Sequence, residues 1–188
     1  METKELDKQR KLLSIESKNG IDFTFAATIV WGFIAFIWTL NAEPYDKSIL
    51  VFIIGGLMLP LALTFSKVFK TRWKVKDCPL QPLGLWLNLA QLLYFPFLVF
   101  VLIKMPSYFI MTYAIITGAH LFPYSWLYST NWYAVFSGII SVGSMTLALL
   151  LEEKQHFCIG VLTSILLLVL LLGLLRDFKK KKERLDAL

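Results

Sequence analysis

The chain has 188 residues, 57% of them hydrophobic and only 17% charged, with a formal net charge of +6. Its mean hydropathy is +0.64. A soluble domain sits near ~45–50% apolar and ~25% charged, so this composition excludes a disordered chain, a collagen-like chain and an ordinary soluble enzyme.

The apolar residues gather into runs of about 17–21, the length at which a helix crosses ~30 Å of hydrocarbon. A charged segment over 1–21 comes first and reads as a partly helical cytoplasmic lead-in. It is too long and too charged for the n-region of a signal peptide. The run over 24–40 ends in Asn41-Ala42-Glu43-Pro44, without a small-residue cleavage site, so it is expected to stay as a span. Glu2 stands where myristoylation needs glycine, and no C-terminal Cys box is present.

Six spans are expected, over 22–41, 48–66, 83–103, 107–125, 132–151 and 157–175, followed by a basic cytoplasmic tail over 176–188. A β-barrel would instead alternate over segments of about ten residues. The run LTSILLLVLLLGLL over 162–175 does not alternate. The expected fold is therefore all-α, a polytopic six-transmembrane-helix bundle with no separate soluble domain.

Charge gives an independent test of direction. Lys4, Lys8, Arg10, Lys11 and Lys18 precede the first span. Lys67, Lys70, Arg72, Lys74 and Lys76 lie between spans two and three. Arg176, Lys179, Lys180, Lys181, Lys182 and Arg184 follow span six. Of the 19 basic residues, that leaves Lys47, Lys104 and Lys154 for the other side. The positive-inside rule then puts both termini in the cytoplasm, in a plasma-membrane protein. The basic face is expected to meet anionic headgroups, at ~1 kcal/mol per basic residue near the surface, and not nucleic acid. Trp73 among lysines reads as an interfacial anchor.

Acidic and basic side chains avoid the middle of every span. Asp22, Lys104 and Asp177 sit at span ends, where headgroups are expected to be in reach. Buried carboxylates of the kind proton-coupled transporters use are absent from the bilayer core. The large polar groups fall in one layer instead. Asn88 and Gln91, spaced i,i+3, share a face of span three, roughly 8–12 Å from the cytoplasmic side at 1.5 Å per residue. His120 on span four comes out about 8–10 Å deep by the same rise. Thr28, Ser137 and Ser141 lie at similar depth. Two readings compete: interhelical hydrogen bonds at ~0.6 kcal/mol each, or a polar cavity that takes a ligand.

Residues 120–133 are the least generic stretch, with a His, a Pro, two Trp and three Tyr. Pro123 is expected to break or kink span four. Tyr124, Trp126 and Tyr128 read either as an aromatic belt or as the wall of a binding site for which His120 orients the ligand. Pro60 and Pro96 are further candidate kinks. Ala114-xxx-Gly118 and Ala134-xxx-Gly138 fit small-residue helix contacts. Cys78 and Cys158 are expected on opposite sides and unpaired. Walker, GxGxxG, HExxH and GxSxG motifs are absent, and two separated histidines make a poor metal site. No cofactor is expected.

The HLFPYSWLYS stretch over 120–129 resembles small, uncharacterised six-span bacterial integral membrane proteins grouped as a domain of unknown function. That resemblance implies a fold but no activity. The leading expectation is a small transporter-like or ligand-binding membrane protein with a cytoplasm-facing pocket. Its candidate residues are Asn88, Gln91, His120, Tyr124, Trp126, Tyr128, Ser137 and Ser141, and its partner is a small molecule. The alternatives are a non-catalytic interaction protein (an immunity, sensor or assembly factor) and a membrane-embedded lipid-modifying enzyme with His120 as acid or base. Homo-oligomerisation stays open.

Overall fold

The computed structural model describes residues 3–75 and 78–186, and these are helical with short connections. In chain order the helices are α1 (Thr3–Glu16), α2 (Ile21–Thr39), α3 (Pro44–Gly55), α4 (Met58–Phe69), α5 (Gln81–Leu92), α6 (Phe95–Lys104), α7 (Phe109–Leu127), α8 (Trp132–Leu150) and α9 (Phe157–Asp186).

Five stretches are long and apolar enough to cross a membrane: Lys18–Thr39, Pro44–Phe69, Gln81–Lys104, Trp132–Leu150 and Glu153–Leu185. Helix α7 has 19 residues but falls outside that set. Thr112, Tyr113, Thr117, His120, Pro123 and Tyr124 dilute its hydropathy.

Two of the expected kinks interrupt the regular helix for two residues, with the backbone still in the right-handed helical region. A proline interior to a helix removes its own N–H and crowds the carbonyl four residues earlier. For Pro60 that carbonyl belongs to Gly56, and the regular helix is interrupted at 56–57, separating α3 from α4. For Pro96 it belongs to Leu92, and the interruption falls at 93–94, separating α5 from α6. Pro123 behaves differently, correcting the expectation of a break: α7 runs through it to Leu127 as one helix. Neighbours on both sides hold α7 in place, as described below, whereas the two broken pairs are peripheral.

Helices α2, α7, α8 and α9 form the tight part of the bundle. In hydrocarbon, helices associate by close packing and hydrogen bonds, because lipid tails are as apolar as Leu. Gly160 lets α9 meet α2 closely: a Cβ there would sit 2.8 Å from the Ala35 Cα. The Ser164 hydroxyl donates to the Thr28 carbonyl across the same seam at 3.0 Å. Gly118 does likewise between α7 and α8, where a Cβ would meet the Ser137 carbonyl at 3.1 Å. Ala114, one turn away, is fully buried. The other small-residue pair does not act this way, since nothing lies within 4 Å of Gly138.

The broken pairs pack far less. In the most apolar window of Lys18–Thr39, 61% of residues are buried; in that of Gln81–Lys104, 11% are. Aromatic contacts attach them to the tight unit. Phe25 meets Phe65 at 4.6 Å, and Phe52 meets Phe109 at 5.2 Å.

Helix α9 has 30 residues, about 45 Å at 1.5 Å per residue, so its end projects beyond a hydrocarbon layer of ~30 Å. There it meets α1. The Lys181 ammonium donates to the Ser14 hydroxyl at 2.9 Å, and the Asn19 amide donates to Asp177 at 3.0 Å. The segments carrying the two ends of the chain are thus in direct contact.

Candidate functional site

The expected polar layer assembles in part. On α5 the Asn88 amide folds back and donates to the Gly84 carbonyl at 3.0 Å. The Tyr124 hydroxyl of α7 donates to that same carbonyl at 3.3 Å. His120 packs edge-on against the Tyr124 ring, with centroids 5.3 Å apart, as their i,i+4 spacing requires. Asn88, Tyr124 and His120 therefore gather where α5 faces α7, and Gln91 continues the face of Asn88 three residues on. Asn88, Gln91 and His120 are half-buried. Among the described residues, neither His120 ring nitrogen, nor the Gln91 amide, nor the Asn88 carbonyl oxygen has a hydrogen-bond partner.

The other expected members go elsewhere. Ser137 is buried in the α7–α8 seam beside Gly118. Ser141 donates to the Ile115 carbonyl at 3.4 Å in that same seam. Trp126 is 45% exposed, and the Arg10 guanidinium lies 4.6 Å over its ring. Tyr128 stacks on Tyr124 at 5.8 Å and meets Tyr133 tilted at 5.9 Å, extending an aromatic cluster away from His120. Burial pushes its hydroxyl up to about 12, against a hydrogen bond from Ser17 that works the other way.

A second polar centre, invisible in the sequence, closes the basic end of the bundle. Lys18, Asn19 and Gly20 take consecutive left-handed conformations, with φ of 48°, 57° and 71°. Asn and Gly adopt that region readily, so Asn19-Gly20 was the one available signal of a turn. The turn buries Asn19 completely. Its amide donates to the Leu174 carbonyl at 3.1 Å, and its own carbonyl accepts from the Tyr133 hydroxyl at 2.7 Å.

Asp22 follows, and it corrects the expectation of headgroup contact, being 1% exposed. It accepts from the Thr71 hydroxyl at 2.6 Å, the Trp73 indole at 2.7 Å and the Phe23 N–H at 3.0 Å. Trp73 also stacks on Phe23 at 4.8 Å, which adds a packed tie between the α4–α5 connection and α2. Cations close the C-terminal end of α7. Arg10 donates to the Trp126 carbonyl at 2.6 Å, and Lys181 donates to the Tyr128 carbonyl at 2.7 Å. Positive charge at the negative end of a helix dipole stabilises both.

Cys78 and Cys158 are both free. Among the described residues, no group of three or more His, Cys, Asp or Glu could hold a metal ion.

Several helices long and apolar enough to cross a membrane, sealed at one end by a buried polar network, suggest a multi-pass membrane protein. The chain belongs to a family described as "Family of unknown function (DUF7010)", whose profile matches residues 6–177. No curated protein matches the chain, and no solved structure does.

Proposed function

We propose that this is a six-span membrane protein with both termini in the cytoplasm, and that it is transporter-like or ligand-binding, with its site between α5 and α7. The contact of α1 with the end of α9 supports an even number of crossings, because both ends of the chain then lie on one side. An even number requires α7 to cross as well, despite its modest hydropathy. The basic residues gathered at that end favour the cytoplasm as that side. Asn88 then lies about 10 Å into α5 and His120 about 10 Å into α7 from the cytoplasmic boundary, at 1.5 Å per residue.

The observation that carries the ligand reading is unused hydrogen-bonding capacity. Asn88, Gln91 and His120 lie on the facing sides of two helices without charged residues, with donors and acceptors left over. A polar group without a partner in hydrocarbon costs several kcal/mol. Such a cost is tolerated where a ligand or water uses the group. The peripheral, broken α3–α4 and α5–α6 pairs supply elements able to move against the tight four-helix unit.

Stability in lipid nanodiscs tests this without knowledge of the ligand. Asn88→Leu, Gln91→Met and His120→Leu are combined in one chain. If the three groups glue helices together, the loss should be near ~2 kcal/mol, at ~0.6 kcal/mol for each bond. The ligand reading expects unchanged or higher thermal stability, because unsatisfied polar groups are removed. A clear destabilisation would refute it.

A further inference from the structure

The α5–α7 seam is closed toward the cytoplasmic end and open toward the side of the bundle. Helix α1 lies across that end. Its Arg10 binds the Trp126 carbonyl and covers the Trp126 ring, and its Gln9 carbonyl accepts from the Cys78 thiol, just ahead of α5, at 3.8 Å. Leu13 of α1 is 5% exposed. The flank is different. On α5, Leu85, Trp86 and Leu89 are 61%, 65% and 42% exposed, and on α7 Phe122 is 61% exposed. Leu85 and Leu89 flank Asn88 on α5 and would face acyl chains, whereas Trp86 and Phe122, two residues from Asn88 and His120, lie on the far faces of their helices.

The chemistry of the seam limits what it can hold. Neither α5 nor α7 contains a charged residue. Nearby charges are already used: Asp22 by Thr71 and Trp73, Arg10 by Trp126 and Asp7. A charged headgroup drawn into this layer would lose its hydration and find no counter-charge. Neutral groups are well served. Gln91 offers an amide donor and acceptor, neutral His120 one of each, and Asn88 an acceptor.

Building on the ligand reading above, we propose that the ligand of this seam is an uncharged amphiphile of the diacylglycerol or long-chain alcohol kind, which enters sideways from the bilayer. Its hydroxyl or ester group bonds Asn88, Gln91 and His120, and its chain lies along Leu85 and Leu89.

The test uses the full chain in phosphatidylcholine vesicles doped with a photoactivatable diacylglycerol or, separately, a photoactivatable phosphatidic acid with the same acyl chains. Crosslinks are mapped by mass spectrometry. The diacylglycerol is expected to label α5 and α7 around residues 85–91 and 119–124 several-fold more than phosphatidic acid. Gln91→Leu should cut that labelling several-fold. Because Gln91 is half-buried and unpartnered, this variant folds as the parent does, and unchanged labelling elsewhere on the chain checks it. Equal labelling by both probes, indifferent to Gln91→Leu, would mean annular lipid only and would overturn the proposal. A preference for phosphatidic acid would overturn it too. Failure here with an undiminished stability of the triple variant removes only the lipid ligand. A destabilised triple variant removes the ligand reading itself.

Discussion

Replacing Asp22 by alanine removes the acceptor that ties the α4–α5 connection to α2. In the folded chain its Oδ2 takes both the Thr71 hydroxyl and the Trp73 indole, and its Oδ1 takes the Phe23 N–H. The side chain is 1% exposed, so water cannot replace it without local opening. The Thr71 hydroxyl can still donate to the Ser66 hydroxyl at 2.9 Å, whereas the Trp73 indole is left without a partner, so the loss should be about 2 kcal/mol, at ~1–3 kcal/mol for a buried donor left unpaired. For a chain of this size that is a fall of roughly 4–8 °C in melting temperature. Asp22→Asn keeps one carbonyl oxygen for Thr71 and Trp73 but turns an N–H toward Phe23, so it should lose about half as much. Thermal unfolding in detergent micelles gives the overall loss. Hydrogen exchange of residues 71–75 reports the local one, and should accelerate in the alanine variant before the rest of the chain does. An alanine variant within ~0.5 kcal/mol of the parent, the range of an ordinary surface change, would refute the buried tie.

Other consequences follow from the same geometry. Gly160→Ala drives a methyl against the Ala35 backbone and should destabilise by ~1–3 kcal/mol, as overpacking does. Gly138→Ala enters open space and should be neutral or mildly stabilising; equal effects of the two in a thermal scan would contradict the packing. Lys181→Ala abandons Asp177, Ser14 and the Tyr128 carbonyl and should cost ~1–3 kcal/mol. The exposed neighbour Lys180→Ala should stay within ~0.5 kcal/mol in the same assay.

How much of this was legible depends on whether the signal was local. The helical runs were, because a membrane helix must satisfy its backbone within itself and so writes about 20 apolar residues in a row. The breaks at Pro60 and Pro96 were legible too, as the geometry of a single residue. Pro123 does not break its helix because α7 is gripped by Ser137 and Ser141 on one side and by α5 on the other, and packing overrides local preference. The Asn88–Gln91 face and the His120–Tyr124 pair followed from helical spacing. Their meeting at the Gly84 carbonyl did not, since it depends on which helices are neighbours. Hidden for the same reason were Asn19 and Asp22, whose partners on α9 and in the α4–α5 connection lie 49–158 residues away. Lys181 looked like one more solvated lysine in a basic run. Only the docking of α1 onto α9 distinguishes it.

The central claim is that the chain crosses the membrane six times and that both ends lie inside. In a chain without Cys78 and Cys158, single cysteines at Lys180 and Lys154 are treated with a membrane-impermeant maleimide, in intact cells and in inverted membrane vesicles. The account predicts that Lys180→Cys labels only in the vesicles and Lys154→Cys only in the cells. Labelling of Lys180→Cys in intact cells would contradict it, and would move the polar layer to the opposite half of the bilayer.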